Sequence, residues 1–480
     1  MLSNISRSAS SLFKKPRNSK FKSLQDQDIK FFESVMPKSC LLQEDLDSYN
    51  EDWLGICKGN SSLVIKPKTT QQVQEVLKYC NQNMLAVVPQ GGNTGQVAGG
   101  VPIHDEIVLN LSNMNKINKI DQDLGVVWSQ GGTILENLNN YCEESGYIVP
   151  LDLGAKGSCQ IAGNVATNAA GLKLLRYGSM HANVLGVEAV LPNGEVMCDM
   201  KALRKDNTGY DLKNLFVGSE GTLGVLTQVA LLLAPKPASR KVAFLGLDSY
   251  EKVITLLGRS KKQLGEILSA FEFMDNSLHE LVLKNVPNTR SMLGQTYPFY
   301  VVVETSGSNE VHDSEKFEQF LESVMEEDLI NDGIVSQDQK QFDEIWHLRD
   351  SAALAYKDEG YVFNYDFSLP VKEMYNFVEK TKARLPSEDF VTGYGHVGDG
   401  NVHLVVATQD PQRVKETLEP FVFEMLQEYQ GSVSAEHGVG LTKVDKLSYC
   451  KSPESLKLMK KIKQTFDPNG ILNPYKVIEP

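Results

Sequence analysis

The sequence predicts an α+β protein in two parts, closed by a C-terminal helix that returns to the first part. Three observations predict it. Leu63 to Val88 reads as strand, helix, strand and runs into a loop that packs five glycines into residues 91–100. Pro235, Lys236 and Pro237 then punctuate the chain, and from Lys241 onward strands alternate with amphipathic helices, the segregated pattern of a mostly antiparallel sheet. Finally, Pro453 to Phe466 reads as a helix that stops at the turn Asp467-Pro468-Asn469-Gly470, after which ILNPYK can pack back on the first part. The resulting boundaries are a leader at 1–25, a first domain at 26–237, a second at 238–440 and a C-terminal segment at 441–480.

In the first domain, Thr69 to Asn81 carries Val73, Val76, Leu77 and Cys80 at helical spacing, with Thr69 and Gln72 placed as a capping box. The strands are Leu63 to Ile65, Leu85 to Val88 and Glu106 to Leu111. Between the last two lies PQGGNTGQVAGG, whose unhindered backbone N–H groups at a strand's carboxyl end can wrap a diphosphate; a plain surface loop is the alternative. A helix at Thr133 to Ser145 leads to a second small-residue cluster, Pro150 to Gly178, against which a large flat ligand can lie; close helix packing is the competing use. A third block, Val217 to Leu233, ends in an apolar strand. In the second domain the strands are Val242 to Leu247, Ala270 to Met274, Phe299 to Glu304 and Tyr361 to Ser368. The helices are Tyr250 to Gly258, Asp313 to Glu326, Val371 to Ala383 and Arg413 to Gln430.

With 41% hydrophobic and 23% charged residues in 480, the chain has the composition of a folded globular protein. The net charge of −13 argues against a general nucleic-acid binder. It is also uneven: residues 1–25 carry six Lys and Arg and no acid, so the rest of the chain is near −19. That Ser-rich, acid-free tail lacks an unbroken apolar run and reads as a mitochondrial transit peptide, against the alternative of a disordered basic tail. No transmembrane run is present, since no apolar stretch approaches ~18 residues. The seven cysteines are scattered without a C-x-x-C pair, which suits free thiols in a reducing compartment.

Of eight histidines, His396, His403 and His437 fall within 42 residues, together with Asp399 and Glu436. In GYGHVGDGNVHLVVAT the first sits in a glycine-rich turn and the second opens an apolar strand, so a hairpin can aim both imidazoles at one cation. Zinc or manganese accepts two His and one carboxylate, with Glu436 as the third ligand. Each histidine alone is better read as an ordinary core or surface residue. Glu436 and His437 can reach one pocket only if the chain turns, which Gly438 and Gly440 allow, and an imidazole beside a cation and a hydroxyl can act as general base. GYGHVG matches a dinucleotide-binding expression but precedes a strand, which removes the helix a nicotinamide site needs.

The strings PQGGNTG, PLDLGAKGSC, GNVATNA, LRKDNTGYDLK, FVGSEGTLG, GEILSAFEFMD, ETSGSN, GYGHVGDGN, SVSAEHGVG and ILNPYK span Leu63 to Lys476. On these the chain resembles the flavin-dependent D-2-hydroxyacid dehydrogenases of the vanillyl-alcohol oxidase, or PCMH-type, superfamily. The resemblance implies a two-part PCMH-type FAD-binding domain at 26–237 and an α+β substrate (cap) domain at 238–440. It implies FAD on Gly91, Gly92, Asn93, Thr94, Gly95, Gly154, Ser158, Gly163, Asn164, Thr167 and Asn473. Residues 89–100 hold no His for a covalent flavin bond, so the FAD is non-covalent. By the same resemblance His396, His403 and Glu436 hold the metal, His437 takes the proton of the 2-hydroxyl, and Arg349 pairs with a substrate carboxylate.

The reaction so implied is oxidation of (R)-2-hydroxyglutarate to 2-oxoglutarate in the mitochondrial matrix, with electron-transfer flavoprotein as acceptor and a homodimer as one admissible assembly. Three positions depart from the hydroxyglutarate pattern: Ala353 where the family has Thr, Asn364 where it has Lys, and Val405 where it has Asn. Losing a Lys removes a charged hydrogen bond of about 1.5–3 kcal/mol, which favours D-lactate or another D-2-hydroxy acid as the alternative substrate. Lys357 and Lys443 are the cations that could replace it. A metal-dependent hydrolase, with the glycine loops merely structural, and a non-redox flavoprotein are readings of other classes.

Overall fold

The computed structural model describes residues 15–356 and 358–479. It divides into two compact units. One holds the chain up to Gly171, Tyr177–Lys236 and Glu436–Pro480; the other holds Leu172–Arg176 and Pro237–Ala435. Short-range pattern does not reveal the assignment of 172–176 to the second unit. There Leu175 packs on Gly398 and Arg176 donates to the Glu266 carbonyl at 2.5 Å.

The first unit contains a four-stranded sheet ordered β1 (Leu41–Leu42), β2 (Val64–Ile65), β4 (Ile107–Asn110), β3 (Val87–Gln90), with β4 parallel to both β2 and β3. The helix Thr70–Asn83 makes the crossover between β2 and β3. The Thr69 hydroxyl caps it by accepting from Gln72 N–H, while the Gln72 side chain accepts from Lys68 N–H, one residue earlier than a capping box requires. An antiparallel sheet follows, ordered β5 (Ile117–Asp121), β6 (Val126–Gln130), β10 (Val225–Leu232), β8 (Val184–Val190), β9 (Val196–Asp199). A short pair, β7 (Tyr147–Ile148) and β11 (Ala234–Pro235), completes it. The C-terminal helix Pro453–Phe466 belongs to this unit: Phe466 meets Phe216 edge-on, and the buried Lys463 ammonium donates to the carbonyls of Thr222 and Leu472.

Residues 17–22, within the stretch read as a leader, make contacts with the first unit. Phe21 is only 5% exposed in the core, Arg17 forks onto Asp105 at 2.6 and 2.9 Å, and Lys22 N–H bonds the Met84 carbonyl. Residues 1–14 lie outside those described.

The second unit is one seven-stranded antiparallel sheet, ordered β15 (Asp332–Val335), β12 (Ser239–Leu247), β14 (Phe299–Gly307), β13 (Leu268–Asp275), β17 (Phe390–His396), β18 (Asn401–Thr408), β16 (Tyr361–Ser368). Helices Asn276–Asn285 and Gln339–Asp350 cover one face, burying Met274, Tyr300, Val302, Tyr394 and Val405. Among the described residues no helix is long and apolar enough to cross a membrane.

His279, 3% exposed and stacked on Tyr300 at 4.0 Å, carries a pH prediction. Burial pushes its imidazole down to about 4 from 6.5. Its contribution is therefore intact above pH 6.5 and lost as the unfolded chain takes up a proton between 6.5 and about 4, a cost of about 3 kcal/mol. A His279→Phe variant should flatten that limb of the melting temperature against pH; an unchanged limb would refute the assignment.

Candidate active site

In the first unit the glycine loop leaves β3 and meets the segment before helix Ile161–Ala166 at backbone distance. A Cβ on Gly92 would lie 2.0 Å from the Ser158 carbonyl oxygen, so only glycine permits that approach. The two segments wall a solvent-open cleft lined by Gly91, Gly92, Asn93, Thr94, Gly95, Gly163, Asn164, Thr167, Glu220, Gly221 and His437.

FAD fits these residues on two observations. Gly95 and Gly163 face open space, where packing within the protein gives no reason to omit a side chain. Gln160 Oε1 and Asn164 Oδ1 are buried in the cleft wall without a protein donor, and a polar ligand can satisfy them. Gly154 and Ser158 are not on the cleft wall; Ser158 contributes the backbone behind Gly92. Asn473 is also off the wall: its amide donates to the carbonyls of Gly99 and Glu220 and its Oδ1 accepts from Lys476, so it ties two cleft loops together. Glu436 and His437 stand where the chain re-enters this unit, with 3.8 Å between His437 Nε2 and Glu436 Oε1.

In the second unit the β17–β18 hairpin turns at Val397–Gly400 and puts Tyr394 opposite His403 and His396 opposite Asn401. Side chains two apart or directly across share a face, so His396 and His403 point the same way, their rings 5.5 Å apart. β16 continues that face with Asp366 opposite His403 and Asn364 opposite Val405. Two of the three residues that depart from the hydroxyglutarate pattern therefore lie one step along the strands from His403. Ala353 is partly buried on the short helix Ala352–Ala355; Lys357 lies outside the described residues.

Sequence reasoning missed two carboxylates that organise this face. Glu272, on β13, bonds His396 Nδ1 through Oε1 at 2.8 Å and Arg349 through Oε2 at 2.6 Å. Burial would raise its carboxyl, but the charges of His396 and Arg349 outweigh burial and hold it below the usual range. In the neutral form of His396 a carboxylate on Nδ1 would keep the proton there and leave Nε2 as the lone-pair nitrogen, the arrangement of metal-bound histidines. Asp366 and His403 offer ligand atoms within 4.8 Å of each other. The Asp366 carboxylate also accepts from Asn401, Ser434 and Ala435 N–H, and Ala435 is bonded directly to Glu436. Arg349 is buried against Glu272 and Tyr394, so its charge is already matched within the unit.

Residues 61–198 match the model of the FAD binding domain and residues 236–477 that of the FAD linked oxidases, C-terminal domain. The mitochondrial D-2-hydroxyglutarate dehydrogenase of Arabidopsis thaliana is 47% identical over 98% of this chain and 84% of its own length. A Schizosaccharomyces pombe protein provisionally named a mitochondrial D-lactate dehydrogenase is 48% identical over 96% of this chain and 92% of its own. In fold the chain is similar to p-cresol methylhydroxylase, with a TM-score of 0.74 at 17% identity over 95% of this chain and 98% of that one. With a cleft suited to FAD and this degree of likeness along nearly its whole length, the chain belongs to the FAD-linked oxidases, as a FAD-dependent D-2-hydroxyacid dehydrogenase.

Proposed function

We propose that the protein oxidises (R)-2-hydroxyglutarate to 2-oxoglutarate in the mitochondrial matrix. The observation that carries the reading is His437, an imidazole able to accept a proton, in the wall of the cleft that would hold FAD. The relatives' names supply the substrate class and compartment, and the basic tail agrees with import. When bound, FAD accepts the two electrons and the hydrogen leaving C2. His437 takes the hydroxyl proton. By the family resemblance His396, His403 and Glu436 would hold a divalent cation such as zinc or manganese, which would lower the hydroxyl's pKa, and Asp366, with a ligand atom within 4.8 Å of His403, is a further donor on the His403 face. Arg349 faces one substrate carboxylate with the N–H groups that Glu272 does not occupy. Electron-transfer flavoprotein as acceptor and a homodimeric assembly complete the proposal and follow from the family resemblance.

A second reading, D-lactate as substrate, is favoured by Asn364 and Val405 on the face beside His403 and by the name of the yeast relative. Anaerobic bleaching of the bound flavin by (R)-2-hydroxyglutarate, D-lactate, D-malate and their L-enantiomers tests both. The first reading expects the dicarboxylate to have the highest kcat/KM; a preference for D-lactate replaces it by the second, and bleaching by no 2-hydroxy acid removes both. Asn364→Lys should raise kcat/KM for (R)-2-hydroxyglutarate over D-lactate by about 10-fold or more. An unchanged ratio would place residue 364 away from the distal carboxylate.

A further inference from the structure

In the first unit the turn Gly218 to Gly221 holds Glu220 at φ 50°, in the left-handed region that favours glycine. A glutamate stands there nonetheless, and both its oxygens accept main-chain hydrogen bonds: Oε1 from Val439 N–H and Oε2 from Gly440 N–H, each at 2.8 Å. Its own main chain is held on two further sides, by the Ala166 carbonyl at 2.8 Å and by the Asn473 amide at 2.8 Å. Val439 and Gly440 follow His437 by two and three residues. Gly438, between His437 and Val439, lies so close that a Cβ would stand 2.8 Å from the Glu220 carboxyl carbon. Glu220 and His437 both line the FAD cleft.

Two backbone donors and two cations face the Glu220 carboxyl. Burial nonetheless holds it above the usual carboxylate range, because the two backbone N–H groups and the charges of Lys443 and Lys476 offset burial only in part. Lys476 is itself buried, its ammonium held by the carbonyls of Gly99 and Val101 and by Asn473 Oδ1.

We infer that Glu220 is a positioning residue for His437: its carboxylate grips the two N–H groups that follow the imidazole and fixes where the proton acceptor stands in the FAD cleft. The inference rests on the reaction proposed above and adds a residue to it. Two variants of the full-length flavoprotein test it. Glu220→Gln turns one acceptor into a donor facing an N–H; Glu220→Gly suits the backbone and removes the grip, so it tests the side chain without adding strain. The measurement is anaerobic stopped-flow reduction by saturating (R)-2-hydroxyglutarate, expressed per bound flavin. In both variants the rate should fall about 10- to 100-fold, as expected for a displaced reacting group, with the half-saturating concentration changed less than about threefold. The solvent deuterium isotope effect should rise, because proton transfer becomes the slower event. A wild-type rate per bound flavin in both variants overturns the inference, as does a slower rate with an unaltered isotope effect. If the wild-type protein is reduced and the variants match it, Glu220 alone is misassigned; if no 2-hydroxy acid reduces the wild type, the reaction itself is misassigned.

Discussion

His437→Gln should slow flavin reduction by about 10²- to 10⁴-fold, the range for loss of a general base. The argument starts from the backbone. Gly438 and Gly440, at φ 84° and 47°, let the chain turn immediately after His437, and the Glu220 carboxylate holds the turn. The imidazole thereby lines the same cleft as Gly91 to Gly95 and Asn164. Gln keeps a side chain of similar reach that can still hydrogen-bond a hydroxyl but cannot take its proton at neutral pH. Substrate binding should therefore persist while the rate per bound flavin collapses, as rapid-mixing absorbance would record. A rate within about threefold of wild type would mean that another group accepts the proton.

Glu272→Ala should destabilise the protein by about 3–5 kcal/mol, the range for breaking a buried ion pair by removing one partner. Glu272 is 1% exposed and engages Arg349 and His396, which are 8% and 6% exposed. Without it the guanidinium keeps its charge in a site closed to water, because Arg cannot deprotonate there. The second effect is local: His396 loses the acceptor that orients it, which for a metal-bound histidine weakens affinity about 10- to 100-fold. Urea unfolding of the full chain and metal content after dialysis measure the two effects separately. A stability loss below about 1 kcal/mol would show that the pair is exposed to water in solution.

The hairpin that aligns His396 with His403 was legible because it is local: a glycine-rich turn between two apolar runs has few other ways to fold. The C-terminal helix was legible for the same reason, with Ser452 as its cap and a turn at its end. Helix Asn276–Asn285 was not, because it follows β13 without a break and Asp275, its cap, reads equally well as the end of the strand. Glu272 lies in the segment GEILSAFEFMD, but every residue of β13 is buried, so no polar alternation marks which side chain faces a histidine. Its partner is set by the order β13-β17-β18-β16, a long-range property that periodicity does not encode. Glu220 was hidden differently: among glycines it looks like one more loop residue, and its value lies in a contact more than 200 positions away.

That separation in sequence has a consequence for how the protein is made. Asn473 and Gly99 are 374 positions apart, yet their hydrogen bond ties a loop of the cofactor cleft to the C-terminal segment. The intervening chain includes all of Pro237–Ala435, which forms a compact unit of its own. During synthesis that unit can close first, while the earlier glycine loops wait on the ribosome without Asn473, Lys476 or the clamp on Val439 and Gly440. The cleft is therefore an end-of-synthesis product, and a polypeptide stalled before residue 436 would expose the apolar walls of an unfinished site to chaperones and proteases.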